Sequence, residues 1–116
     1  MTDSILNTIK PLVNVDVTDD NFDLEIITDI NTALNELTEI GVGPENGFEI
    51  TGDTETWSDF VGNIPDKKLL NAVKTYVHMD VRLMFDPPAN GTLVEVINRK
   101  IAECTSRINY VVDNGG

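Results

Sequence analysis

His78 and Cys104 are the side chains best suited to nucleophilic or metal chemistry in this chain, and each residue type occurs once. A nucleophile needs a base within hydrogen-bond reach, and a structural zinc site needs four ligands. One histidine and one cysteine fall short of a zinc site and limit nucleophile–base pairing to these two residues. Cys104 falls on an apolar helical seam, where a small buried thiol is the ordinary state. His78 stands near Lys74 and Arg82 at helical spacing, which predicts an exposed or interfacial imidazole. Residues 16–27, DVTDDNFDLEII, have the acid density of a calcium loop. Asn21 occupies the sixth position, where glycine is needed, and Ile27 the twelfth, where a bidentate glutamate is needed. No GxxxxGK[ST] or GxGxxG segment exists to cradle a phosphate. The expectation is no catalytic residue, no metal and no cofactor.

Twenty acids against eight bases give a net charge of −12. The first 62 residues hold fourteen acids against Lys10 alone, whereas the remainder holds seven bases against six acids. An acidic half of this kind cannot hold nucleic acid by neutralising phosphates. It can keep the protein in solution, let DNA pass without trapping it, or meet a basic neighbour. With 116 residues the chain is one ordinary domain, able to bury about two thirds of its unfolded surface without a metal or disulfide. A single cysteine suits a reducing cytoplasm. The first twelve residues lack the basic flank and apolar run of a signal peptide, and no segment nears the ~18 apolar residues of a membrane span. A soluble, intracellular protein is expected, so the Asn90-Gly91-Thr92 sequon reads as a turn and helix cap.

The elements that would position these residues are helical. Ile5, Leu6 and Ile9 predict a short opening helix that stops at Lys10, because Pro11 disfavours helical geometry before it. Asp19 or Asp20 is placed to cap a helix over 21–40, where Phe22, Ile26, Ile30, Ala33, Leu34, Leu37 and Ile40 recur at steps of three and four. Gly41 closes that helix. Gly41, Gly43, Pro44, Gly47 and Gly52 make 41–53 a loop, with Phe48 and Ile50 alternating as a short extended arm. Residues 54–61 predict a short helix with Trp57, Phe60 and Val61 on one side. It is too short to stand alone, so its aromatics must pack on the domain or on another subunit. Pro65-Asp66 opens the next helix, with Asp66 as cap and Leu70, Val73, Val77, Val81 and Met84 as its stripe, and Pro87-Pro88 end it. Arg82 stands four residues before Asp86, which predicts an intrahelical ion pair or an intersubunit contact. Thr92 and Glu95 match a capping box ahead of a seam of Val94, Ile97, Ile101, Cys104, Ile108 and Val111. The fold class is all-α, a small bundle of three longer helices with short helices and a Gly-rich loop. Its predicted core unites Ile26, Ile30, Leu34, Leu37, Val73, Val77, Ile97, Ile101 and Ile108.

Helix, GVGPENGF loop, TETWSDF turn and FDPP-terminated helix, in that order, resemble the head–tail connector (adaptor) proteins of long-tailed bacteriophages. The likeness runs from Leu6 to about Val111 and is strongest over 30–60 and 76–88. The resemblance implies one connector domain over 1–116, a structural protein of the virion neck assembled in the host cytoplasm. Copies would form a dodecameric ring beneath the portal protein and extend the DNA channel, with a stopper or tail-completion protein below. DNA would pass without specific binding, and no membrane is involved. In related connectors the C-terminal segment reaches the portal. Here that role falls on a flexible tail from about 109, with Asn109, Tyr110, Val111 and Val112 as portal-binding candidates. Phe48, Trp57, Phe60 and Arg82 are subunit-interface candidates, and Asp16, Asp19, Asp20 and Asp23 are channel-lining candidates. Two rivals stand beside this reading. An acidic DNA mimic that occupies a host nucleic-acid-binding protein would spread acids over the whole surface, which the near-neutral second half opposes. A small enzyme would need convergent polar groups beyond His78 and Cys104.

Overall fold

Among the described residues of the computed structural model, five helices follow one another: α1 (Ile5–Leu12), α2 (Asp23–Glu39), α3 (Trp57–Val61), α4 (Lys67–Phe85) and α5 (Gly91–Asp113). The structure describes residues 4–62 and 67–113, so the expected Asp66 cap and the loose end expected at 114–116 lie outside the described residues. Among the described residues there is no strand, only an isolated antiparallel bridge between Ser4 and Thr56. Helix α4 packs on α1, α2 and α5, whereas α5 rests chiefly on α4. Of the nine predicted core residues, eight are buried and Ile101 is half-buried. The α4 stripe is corrected by one position at its start: Leu69 is buried and Leu70 only half so, and at its end Met84 is 39% exposed.

Helix α1 does not stop at Lys10. It continues through Pro11 to Leu12, and Val13 N–H closes it on the Ile9 and Lys10 carbonyls. Proline in a last turn removes only one helical hydrogen bond, and a tertiary contact outweighs the local bias. That contact is Lys10 itself, which is 2% exposed. Its ammonium lies 2.7 Å from the Asp23 carboxylate and donates to the Val17 carbonyl at 3.0 Å. One end of α1, the connector and the first residue of α2 are thereby fastened at a single point.

Several helix ends differ from expectation because single side chains decide them. Asp19 accepts from its own turn, at Asn21 N–H, and α2 begins later, behind Phe22, with no side-chain cap. Asp23 and Glu25 in its first turn instead complement the helix dipole. At the other end Gly41 adopts φ +100°, Gly41 N–H bonds the Thr38 carbonyl and Val42 N–H the Leu37 carbonyl. This paired arrangement closes the helix and buries Val42 against the core. The cap of α5 is Asn90, not Thr92: Asn90 Oδ1 accepts from Thr92 N–H at 2.8 Å. Asparagine there satisfies a backbone donor one turn earlier than the capping box would.

The loop after α2 is pinned at both ends. Phe48 and Ile50 form no strand, but Asn31 holds both backbone groups of Ile50, accepting from its N–H at 2.7 Å and donating to its carbonyl at 3.1 Å. Thr56 and Asp59 form a reciprocal capping box that starts α3. Gly43 (φ +85°) passes so near Phe60 that an added Cβ would lie 2.5 Å from its ring, while Gly47 (φ +95°) faces open space.

Replacing Lys10 with alanine strands Asp23 and the Val17 carbonyl. Because Asp23 is partly solvated, the loss should sit near the low end for broken buried pairs, about 3 kcal/mol in a urea titration. Gly43→Ala should cost about 2–4 kcal/mol, combining backbone strain with overpacking against a buried ring. Gly47→Ala should cost about 1 kcal/mol from backbone strain alone. Equal losses at the two glycines would show that Phe60 yields.

Candidate functional site

The aromatic residues of the loop region face inward. Trp57 and Phe60 are each 1% exposed. Trp57 Nε1–H donates to Thr8 Oγ1 at 3.2 Å, the Lys74 ammonium lies 5.8 Å from the ring centroid, and Phe48 packs on Phe60 with centroids 5.4 Å apart. In this subunit Trp57 and Phe60 therefore present no side-chain area to a neighbour, and of the aromatic interface candidates only Phe48 is half-buried. Arg82 makes no ion pair with Asp86. Its Nε–H donates to the Asp86 backbone carbonyl at 3.3 Å, while the Asp86 carboxylate accepts from Asn14. The guanidinium thus caps a C-terminal carbonyl of α4, where positive charge is favoured.

The channel-lining candidates separate into different states. Asp16 accepts from the hydroxyl and N–H of Thr18, which hold its carboxyl below the usual range. Asp19 caps its own turn, Asp20 is exposed, and Asp23 is neutralised by Lys10. The portal-binding candidates lie on regular helix: α5 continues to Asp113, past the point near 109 where a flexible tail was expected. The apolar repeat explains the continuation, since Ile108 is buried and Val111 and Val112 pack against the core. Val112 abuts Gly41, where an added Cβ would lie 2.9 Å from it. Tyr110 is 70% exposed and Asn109 half-buried.

His78 is half-buried between α4 and the end of α1. Burial pushes its pKa down, a hydrogen bond to the Leu12 backbone opposes this, and Arg82 adds to the lowering. Cys104 is buried, and its thiol is pushed up by desolvation. No group of three His, Cys, Asp or Glu able to hold a metal comes together among the described residues.

Three features were not foreseen from sequence. The first is a carboxyl cluster on the α2–α4 seam. Tyr76 O–H donates to Glu36 at 2.9 Å, and Asp80, beside Glu36 and Asp29, is pushed up to about 7, first by burial and then by these two neighbours. Asp80 Oδ2 is sealed from solvent without a donor, which a proton shared with Glu36 satisfies. The second is an apolar groove of about 460 Å³ between α4 and α5, walled by Leu69, Ala72, Tyr110 and Val111 and rimmed by Lys68 and Arg107. The third is a knuckle at the other end of α4, the projecting side chain of Leu24 (79% exposed), beside a cleft lined by Glu25, Asp29, Met84 and Phe85.

A family model described as phage connector protein matches residues 5–115. The chain belongs to the phage head–tail connector family. Neither a curated protein nor a solved structure matches it. The match spans all five helices, so the connector's whole fold belongs to the family, and its role is structural. Among the described residues no helix is long and apolar enough to cross a membrane. Among the described residues, the groove and the knuckle each set exposed apolar area beside charged side chains.

The raised Asp80 pKa makes stability depend on pH. The folded protein binds that proton more tightly than the unfolded chain, whose value is near 3.8. Its contribution is complete below about pH 4 and is lost as pH rises towards 7. Asp80→Asn should flatten this slope. Above pH 7 it should exceed the parent by about 1–2 kcal/mol, solvent screening part of the shift at a half-buried side chain. Parallel urea titrations at pH 5 and pH 8 measure both effects.

Proposed function

We propose that this connector is a neck protein whose copies form a ring beneath the portal, extend the DNA channel and receive a stopper or tail-completion protein below. The family match over 5–115 carries this reading. A ring around DNA needs a lining that does not bind phosphate, and the acid-rich first 62 residues fit that need. Asp16, Asp19 and Asp20 are the lining candidates, because Lys10 already cancels the charge of Asp23. The portal contact falls on the C-terminal end of α5, around Asn109 to Val112, where Tyr110 is the exposed member.

Assembly occurs in the host cytoplasm and ends in the virion neck. Each subunit makes only a modest contact with the portal, and many copies on a symmetric partner multiply it through effective concentration. Mixing the full chain with a purified portal ring and imaging the product by electron microscopy tests the reading. The expected product is one added ring coaxial with the portal. Tyr110→Glu, at a 70% exposed position, should abolish that joint while circular dichroism stays unchanged. A full-length chain that never joins the portal overturns the proposal.

A further inference from the structure

The groove and the knuckle lie at opposite ends of one helix. Leu69 in the groove and Met84 beside the knuckle are fifteen positions apart on α4, about 22 Å along its axis. A subunit cannot close one on the other, so the two surfaces can meet only between copies. Their chemistry is complementary. The groove has an apolar floor between Lys68 and Arg107, and Lys100 extends the basic rim into the adjoining cleft. Lys100 also meets Glu103 at 3.6 Å, a solvent-exposed pair of small worth. The knuckle offers Leu24, the most exposed large apolar side chain among the described residues, with Glu25 and Asp29 beside it.

We propose that the α4–α5 groove of each connector subunit receives the Leu24 knuckle of the next copy. Leu24 sits over Leu69 and Ala72, and Glu25 faces Arg107. The inference rests on the ring reading and names the surfaces that build it. Joining two different patches is a heterologous contact, which propagates in one direction and closes only as a ring or runs on as a filament. A reciprocal two-fold dimer, with each groove taking the other's knuckle, would stop at two copies, and light scattering that finds only dimers overturns the head-to-tail pairing.

The test is a charge exchange in the full chain, read by light scattering on size exclusion and by imaging with the portal. Arg107→Glu and Glu25→Arg alter exposed positions, so both variants should keep the parent's circular dichroism. Each should weaken self-association by roughly tenfold or more, since like charges then face one another across the contact. The double variant, carrying both changes in every copy, should recover assembly. If rings form normally in both single variants, or the double variant fails to recover, the groove–knuckle pairing is overturned while the ring reading stands. If Arg107→Glu retains self-association but loses the portal, the groove's occupant is the portal and the pairing is again overturned. A parent chain that stays monomeric both alone and on the portal overturns the ring reading and the pairing together.

Discussion

The burial of one ammonium group organises the first half of the fold. Lys10 is the only base among the first 62 residues, and it is withdrawn almost completely from water. Removing such a charge from solvent is expensive, and the structure offsets it with a carboxylate and a carbonyl at hydrogen-bond distance. Both partners belong to segments that nothing else in the local sequence would orient. The connector must therefore turn back on α1, and α2 must begin at Asp23, for the charge to be satisfied. From there the apolar stripe of α2 faces α4, and α4 in turn offers its other side to α5. A well-packed apolar pair in place of Lys10 and Asp23 could match the stability, but it would not fix the same register.

The second half is built on the opposite logic. Helix α5 rests chiefly on α4, and Leu93 and Val96 on its surface are exposed. A 23-residue helix that leans mainly on one neighbouring helix is a poor choice for a solitary globule and a good one for a subunit that shares its outer faces. The distribution of charge agrees. Acids dominate α2 and the segments on either side of it, and bases gather where α4 and α5 meet. Asp80 shows how the seam between the halves tolerates crowded carboxyls, by retaining a proton near neutral pH instead of recruiting a cation.

The long helices were legible because burial recurs every three or four residues. The stripes of α2, α4 and α5 come from that repetition, and the misplaced residues stand at the ends: Phe22 and Met84 are exposed, and Leu69 is buried in place of Leu70. Helix ends were less legible, since Asn90 against Thr92, or Asp19 against Phe22, turns on one hydrogen bond. Contacts between distant segments were not legible at all. Asn31 with Ile50, Tyr76 with Glu36 and Lys10 with Asp23 each need two elements already docked. A hint for Lys10 was present: it stands four residues after Leu6 and three before Val13, on the face that α1 buries. The groove carried a fainter hint, in Lys68, Lys100 and Arg107 placed towards one end of their helices. The family resemblance was readable from the order of loop and turn motifs, but not the surfaces through which a member acts.

The loop between α2 and α3 is held at Gly43 beneath Phe60 and again at Ile50 by Asn31, while Glu45 and Asn46 between these anchors are exposed and Gly47 borders open space. Residues can therefore be gained or lost at the tip without moving either anchor, because loop closure becomes only slowly less favourable with length. An insertion in α4 has no such freedom, since each added residue turns everything beyond it by about 100°. Divergence in this lineage should accordingly accumulate as changes of length at the tip and as changes of side chain along the rods. The chain thus carries a built-in place where a new appendage can be grafted without rebuilding the domain that bears it.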